Sequence, residues 1–254
     1  MYEVKTELLV GNSVSSAFDS WSSNTDDPCT ASWAHITCTS GSITGLDLSS
    51  LALAGTLPSM LSGVTSLESV SLGSNLFTST LPTAWSALTG LTYLSLSSNT
   101  LSSSMPSVWS AMGELKQLNL GYNSLTGTLP ALWADASGMT SLTRLIVSSN
   151  TDLCGAYPGS WTSSLVTSTG TLLGGTCAQT AGLLAVKTAV TSSWPFASGW
   201  TDATDPCTDS WSAVTCTGSV VTGLDLGFYS LAGSLAADFS KVAGLQNLKL
   251  ADNA

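Results

Sequence analysis

The feature that most constrains this chain is a fixed period. The segments LESVSLGSN, LTYLSLSSN, LKQLNLGYN and LTRLIVSSN end at Asn75, Asn99, Asn123 and Asn150, the first two intervals equal and the third slightly longer. A further row, ITGLDLSSL, precedes them by the same regular interval and carries Leu51 where the others carry Asn. The last interval is longer because WADASGMTSL replaces the shorter WSALTGL. Self-similarity at about two dozen residues marks stacked coils. Each row predicts a short strand whose alternate residues, such as Leu94 and Leu96, enter a shared core. Burying one large aliphatic side chain is worth about 1.5–3 kcal/mol, and no row can hide its own set, so rows must pile up. The closing Asn is expected to hydrogen-bond turning backbone that would otherwise go unpaired. That makes Asn75, Asn99, Asn123, Asn150 and, in a later row, Asn253 structural.

The second half of each row is also patterned. Pro58, Pro82, Pro106, Pro130 and Pro158 recur once per row, and Trp85, Trp109, Trp133 and Trp161 follow four of them at the third position. Proline fixes φ and suits an extended, non-helical convex side. The four tryptophans are expected to form a stacked core ladder, with a carbohydrate-binding aromatic strip as the sharper alternative.

A longer period lies above this one. DPCTASWAHITCTSGSITGLDL recurs as DPCTDSWSAVTCTGSVVTGLDL, so that Cys29 maps to Cys207, Cys38 to Cys216 and Asn75 to Asn253, all at one constant offset. The expected organisation is a cap over 1–45, repeats over 46–150, a closing cap over 151–177, a second cap over 178–222 and a second array from 223 to 254. Segments Thr6 to Val14 and Ala181 to Val190 are expected to be short amphipathic helices over the first strand of each module. The chain begins without a signal-like apolar core and stops at Ala254 inside a row, so both ends read as cuts in a longer protein. No apolar run reaches the roughly 18–20 residues that span a bilayer.

Charge excludes other roles. Only six Lys and Arg offset 16 acids, leaving a net charge of −10. Phosphate backbones and anionic membrane surfaces are both bound by cationic side chains, so neither nucleic acid nor membrane is an expected partner of this segment. The six cysteines pair most economically as neighbours, Cys29–Cys38, Cys154–Cys177 and Cys207–Cys216, because the module repeat duplicates the outer two pairs. Each C-x8-C bridge, Cys29–Cys38 and Cys207–Cys216, would stabilise its cap by about 2–3 kcal/mol in the chain-entropy treatment. Free core thiols are the bland alternative, and no CxxC or CxxH spacing suggests zinc. Paired cysteines imply an oxidising, extracellular or lumenal compartment.

DPCTASWAHITC resembles the N-terminal cap of plant-type extracellular leucine-rich-repeat proteins, which include receptor kinases and secreted enzyme inhibitors. The L-x-x-N-x-L-x-G-x-L-P rows resemble the plant-specific repeat class, and the Trp after the Pro is similar to repeats of kinetoplastid surface antigens. The resemblance covers essentially the whole chain. It implies an α/β fold, a right-handed leucine-rich-repeat solenoid with short parallel strands on its concave face, an irregular, 3-10 or extended convex side, and disulfide-stapled caps in tandem modules. It also implies recognition of a protein, peptide or glycan on the concave sheet, with a parent chain that can be membrane-anchored. One departure is the lack of any N-x-S/T sequon, which favours a non-plant branch.

Chemistry is not expected. His35 is the only histidine, and its counterpart in the repeated cap is Ala213. A Ser-His-Asp site would have to use it. Asp27 and Asp205 precede proline, where a local bond to backbone is the expected use. No phosphate-cradling or kinase motif occurs, and no cofactor is implied. Alternation instead places Ser69, Ser71, Tyr93, Ser95, Gln117, Asn119, Arg144 and Ile146 on the concave surface, with Tyr122 one step along its row. Tyr93, Gln117, Asn119, Tyr122, Arg144 and Ile146 form the candidate binding set, against the alternative of merely solvated surface. The competing role is structural, adhesive, wall-facing or ice-facing. Regular Thr at one strand position would favour it, and the concave positions read Ser, Tyr, Gln and Arg instead.

Overall fold

The computed structural model describes residues 2–9, 18–21, 25–159, 161–162, 164–173, 177, 183–187, 200, 206–207, 211–217, 220–232, 242 and 244–253. Two compact units emerge: Met1–Leu125, Pro130–Thr151 and Pro158–Thr171 form the first, and Thr126–Leu129, Asp152–Tyr157 and Leu172–Ala254 the second.

In the first unit, the antiparallel pair Ile36–Thr39 and Ser42–Asp47 starts a seven-stranded sheet. Strands Ser69–Ser71, Tyr93–Ser95, Gln117–Asn119, Arg144–Ile146 and Val166–Thr167 then add in parallel, one per row. Leu72, Leu96 and Leu120 follow three of these strands and are fully buried. Their amides bond Ser95 O, Asn119 O and Ile146 O of the next row at 2.8 Å, so the three leucines lie one above another. After Pro58, Pro82, Pro106 and Pro130 the chain turns through a short 3-10 helix: Ser59–Gly63, Thr83–Ala87, Ser107–Ala111 and Ala131–Trp133. The convex side is therefore 3-10 and extended backbone.

Two side-chain ladders tie the rows together. Asn99 Nδ2 donates to Leu72 O and Leu96 O, both at 3.1 Å, while its Oδ1 accepts from Phe77 N at 2.9 Å. Asn123 and Asn150 repeat the pattern on Leu96 O and Leu120 O at 3.0 Å each. The first row lacks its own Asn, and Asn75 of the next row holds it through Leu51 N and Leu53 N. Buried amides and carbonyls are costly when unpaired, which is why a residue with both donor and acceptor occupies this position. The second ladder is aromatic. Trp85, Trp109 and Trp133 are fully buried, stack at centroid distances of 6.1 and 6.3 Å, and donate to Pro58 O, Pro82 O and Pro106 O.

Trp161 does not join this ladder, contrary to the expectation of four stacked rings. It is half-buried and its indole has neither ring partner nor hydrogen bond among the described residues. Four extra residues separate it from Trp133, three of them in WADASGMTSL.

A second, lateral ladder runs beside the sheet, pairing Ala54–Thr56 with Leu76–Thr78 and Ser102–Ser103 with Ser124–Leu125. Its register falls two positions short of the row period, since Thr56 pairs with Thr78 while Ser71 pairs with Ser95.

The cap is closed by Cys29–Cys38. Trp21 stacks on Trp33 at 5.3 Å and donates to Ala34 O. The helix spans Tyr2–Leu9, beginning four residues before the expected Thr6, because buried Val4 already supplies the packing position. The rest of the expected segment, 10–14, lies outside the described residues. Lys5 Nζ ties the helix to Phe18 O and Trp21 O.

In the second unit, Thr126–Gly127 pairs with Asp152–Leu153, and Cys154–Gly155 with Leu172–Leu173. Cys154–Cys177 bridges this segment. The repeated cap has the antiparallel pair Val214–Thr217 and Val220–Asp225, joined in parallel by Asn247–Lys249. Residues 183–187 are helical, while the flanks of the expected helix, 181–182 and 188–190, are outside the described residues. The matching sequence reproduces the matching bonds: Cys207–Cys216, Lys187 Nζ to Trp200 O, and Trp200 Nε1 to Ser212 O. Asn253 likewise spans Leu226 O and Leu231 N.

Candidate functional site

The sheet of the first unit presents two outward ranks. Strand register sets Ser69, Tyr93, Gln117 and Arg144 side by side in one, and Asp47, Ser71, Ser95, Asn119 and Ile146 in the other. Between paired strands the spacing is about 4.8 Å, so Tyr93 and Arg144 stand roughly 10 Å apart at the backbone. Leu94, Leu118 and Leu145 point the opposite way and are buried, which fixes the outward aim of their neighbours.

The first rank is open. Tyr93, Gln117 and Arg144 are exposed, and their side chains make no hydrogen bond or ion pair among the described residues. The second rank is partly engaged. Asn119 Oδ1 accepts the amide of Gly121 at 3.1 Å, and Ile146 is half-buried close beside Gly121. Ser95 is buried, not surface, in register between Ser71 and Asn119, with its hydroxyl 3.3 Å from that of Ser97.

Tyr122 is 64% exposed and has φ of 56°. The same position in other rows holds Ser74, Ser98 and Ser149, all with positive φ. Its amide bonds Ser148 O at 2.7 Å and its carbonyl accepts Asn99 N, so the ladder holds the backbone there. A bulky residue in this conformation is uncommon, and only surrounding structure keeps it there.

Sequence reading missed the acidic end of the sheet. Ser49 Oγ donates to Asp47 Oδ1 at 2.6 Å, and Ser49 N adds a second bond at 3.0 Å. These bonds, the hydroxyl's first, hold the Asp47 carboxyl below its ordinary value, with nearby His35 and Ser71 adding to the effect against desolvation. His35, Ile36, Thr37, Asp47 and Ser49 line a shallow recess at this edge. The serine proton is committed to a carboxylate and not to the imidazole, so the trio is not arranged for nucleophilic attack. Across the sheet the charge thus runs from Asp47 in the first row to Arg144 in the fifth. Among the described residues no group of three or more His, Cys, Asp or Glu is placed to hold a metal. No helix there is long and apolar enough to cross a membrane.

In the second unit, Phe228 and Tyr229 are exposed, and Phe228 has φ of 63°. They occupy the positions that Ser50 and Leu51 hold in the first module, so the row GLDLGFY was the available signal.

A leucine rich repeat model matches residues 65–125, and a leucine rich repeat N-terminal domain model matches 2–39 and 178–217. Among solved structures, the chain is similar to the BIR3–SERK2 complex from Arabidopsis thaliana, with 27% identity over 67% of this chain and 90% of that one, at a TM-score of 0.57. It is similar to the BIR2 ectodomain of the same plant at 24% identity, covering 67% and 92% with a TM-score of 0.57. It is also similar to the ectodomain of the Arabidopsis membrane receptor kinase GASSHO1/SCHENGEN3 in complex with CASPARIAN STRIP INTEGRITY FACTOR 2. That match has 24% identity over 99% of this chain and 26% of that one, with a TM-score of 0.59.

Proposed function

The chain is an extracellular leucine-rich-repeat protein with plant-type rows and disulfide-bonded N-terminal caps, and on that premise we propose that its sheet captures a protein or peptide ligand. The observation that carries this is the open rank Tyr93–Gln117–Arg144 with Tyr122 beside it. Aromatic and Arg side chains contribute most at interfaces, and these keep their polar heads unpaired among the described residues. The BIR3–SERK2 structure, 27% identical over the shared region, is itself a complex. The role is binding and not catalysis. In this reading residues 1–45 and 151–177 cap the 46–150 array, 178–222 and 223–254 open a second module, and the parent is a receptor, surface antigen or secreted inhibitor.

A displayed random-peptide library panned against the chain tests the site. Selected peptides should lose at least about ten-fold in affinity on Tyr122→Ala with Arg144→Ala, which corresponds to about 1.4 kcal/mol. Peptides that bind equally well to the double variant would place capture elsewhere.

One observation favours the second reading, an ice- or wall-facing surface. The concave strands lack regular Thr, but the lateral pairs present exposed hydroxyls in register: Thr56 pairs with Thr78, Ser102 pairs with Ser124, and all four are exposed. Thermal hysteresis abolished by Thr56→Lys with Thr78→Lys would support this role; no hysteresis at all would remove the ice-facing form of it.

A further inference from the structure

The convex side departs from regularity between the fourth and fifth rows, and the departure opens a cavity of about 370 Å³. Its walls include Trp133, Asp135, Met139, Thr140, Trp161 and Leu165. Row length explains its origin. WADASGMTSL is three residues longer than WSALTGL, and the extra loop folds back tightly over its own start. Gly138 permits this, since a Cβ there would run into Leu132 O and lie 2.7 Å from Trp133 O. Trp161 is thereby held away from Trp133, and its ring borders the cavity with no aromatic neighbour among the described residues.

We propose that this cavity is a binding site for a small organic cation, a quaternary ammonium or guanidinium head, seated on Trp161 and paired with Asp135. Three observations converge on it. Trp161 has left a ladder in which the equivalent rings of Trp109 and Trp133 stack at 6.3 Å, so its faces are not covered by another indole of the described residues. An indole face is the best side-chain partner for a cation within about 6 Å. Asp135 is the only charged side chain in the lining, and it makes no hydrogen bond or ion pair among the described residues. Met139 and Leu165 complete an apolar wall suited to methyl groups. An anion would meet Asp135 and a chain of net charge −10. A neutral sugar would lie against the same indole but leave the carboxylate unanswered.

Titration of the chain with choline, followed at the Trp161 indole N–H resonance, tests the site. That resonance is assigned by its loss in Trp161→Phe. Choline should shift it saturably. The neutral isostere 3,3-dimethylbutan-1-ol should bind at least ten-fold more weakly. Asp135→Asn, whose exposed side chain supports nothing else in the fold, should weaken choline at least five-fold while leaving the unfolding curve unchanged. Arginine amide in place of choline distinguishes a guanidinium from an ammonium preference, and saturation by either supports the site. No saturable shift with either cation overturns the proposal. Equal affinity for the neutral isostere, choline binding indifferent to Asp135→Asn, or methyl glucopyranoside binding in place of both cations does so as well.

Discussion

The strands ending at Asn99, Asn123 and Asn150 share their aliphatic positions, yet the tryptophans that follow them are placed differently: Trp109 and Trp133 stack, and Trp161 does not. Asn150 makes the same bonds as its predecessors although three more residues separate it from the asparagine before. The concave strand Arg144–Ile146 also keeps its register on Gln117–Asn119. Only the convex side absorbs the extra length, and it does so by giving up one indole contact. The lesson is that the two ladders differ in tolerance. An asparagine that answers buried backbone must arrive at its place, because orphaned amides and carbonyls have no cheaper partner. A ring that leaves the stack loses packing and one indole hydrogen bond, while the proline carbonyl it would have served still accepts a backbone amide, as Pro130 O does from Trp133 N.

This contrast can be attacked through the tryptophans first. Trp109→Ala should cost about 3–5 kcal/mol, since it empties a filled core site and removes the indole bond to Pro82 O. Trp161→Ala should cost less than about 1 kcal/mol, because a half-buried ring beside a cavity leaves little new void. Urea unfolding of the two variants checks the difference, and equal losses would erase the distinction between the rows. Next comes Asn123→Ala. It removes the side chain that serves Leu96 O, Leu120 O and Leu101 N, and should destabilise by about 3 kcal/mol. Asn150→Ala should match it within about 0.5 kcal/mol if the ladder truly ignores row length.

A smaller effect of opposite sign is expected at Tyr122. Asn tolerates the left-handed conformation better than Tyr, so Tyr122→Asn should raise stability by about 0.5 kcal/mol while weakening any peptide selected on the sheet. Chemical denaturation and the peptide titration together read the trade. The smallest effect concerns Asp47. Its carboxyl is held low by Ser49, so the ionised form is favoured in the folded chain. That contribution is present at neutral pH and fades as pH falls through the lowered value, below the ordinary 3.8. Solvent exposure limits it to below about 0.5 kcal/mol. Comparing the acid limb of unfolding for wild type and Ser49→Ala measures it.

Much of this was legible from the residues. The leucines and asparagines occupy fixed positions in each row and stack on their counterparts one row away, and the cysteine pairs of the two N-terminal caps repeat at the module offset. Trp161 was not legible, because the local Pro-x-x-Trp motif repeats faithfully while the span to Trp133 does not. The lateral hydroxyl ladder was hidden for a related reason. Its register is shorter than the row period, so Thr56 meets Thr78 although aligning the rows would set it opposite a different residue. Ser95 shows the limit of alternation, which gives the direction of a side chain but not how closely its neighbours crowd it. The outward aim of Tyr93, Gln117 and Arg144 followed from alternation, whereas the Asp47–Ser49 pair depends on a turn that the row pattern leaves open.

The backward reach of the asparagines carries a consequence for how the molecule is made. Asn75, Asn99 and Asn123 each bind a carbonyl 27 residues earlier, and Trp85, Trp109 and Trp133 reach back by the same interval. A coil emerging from the ribosome is therefore left with open carbonyls until its successor has been translated. During synthesis, each newly translated turn supplies the latch for the one before.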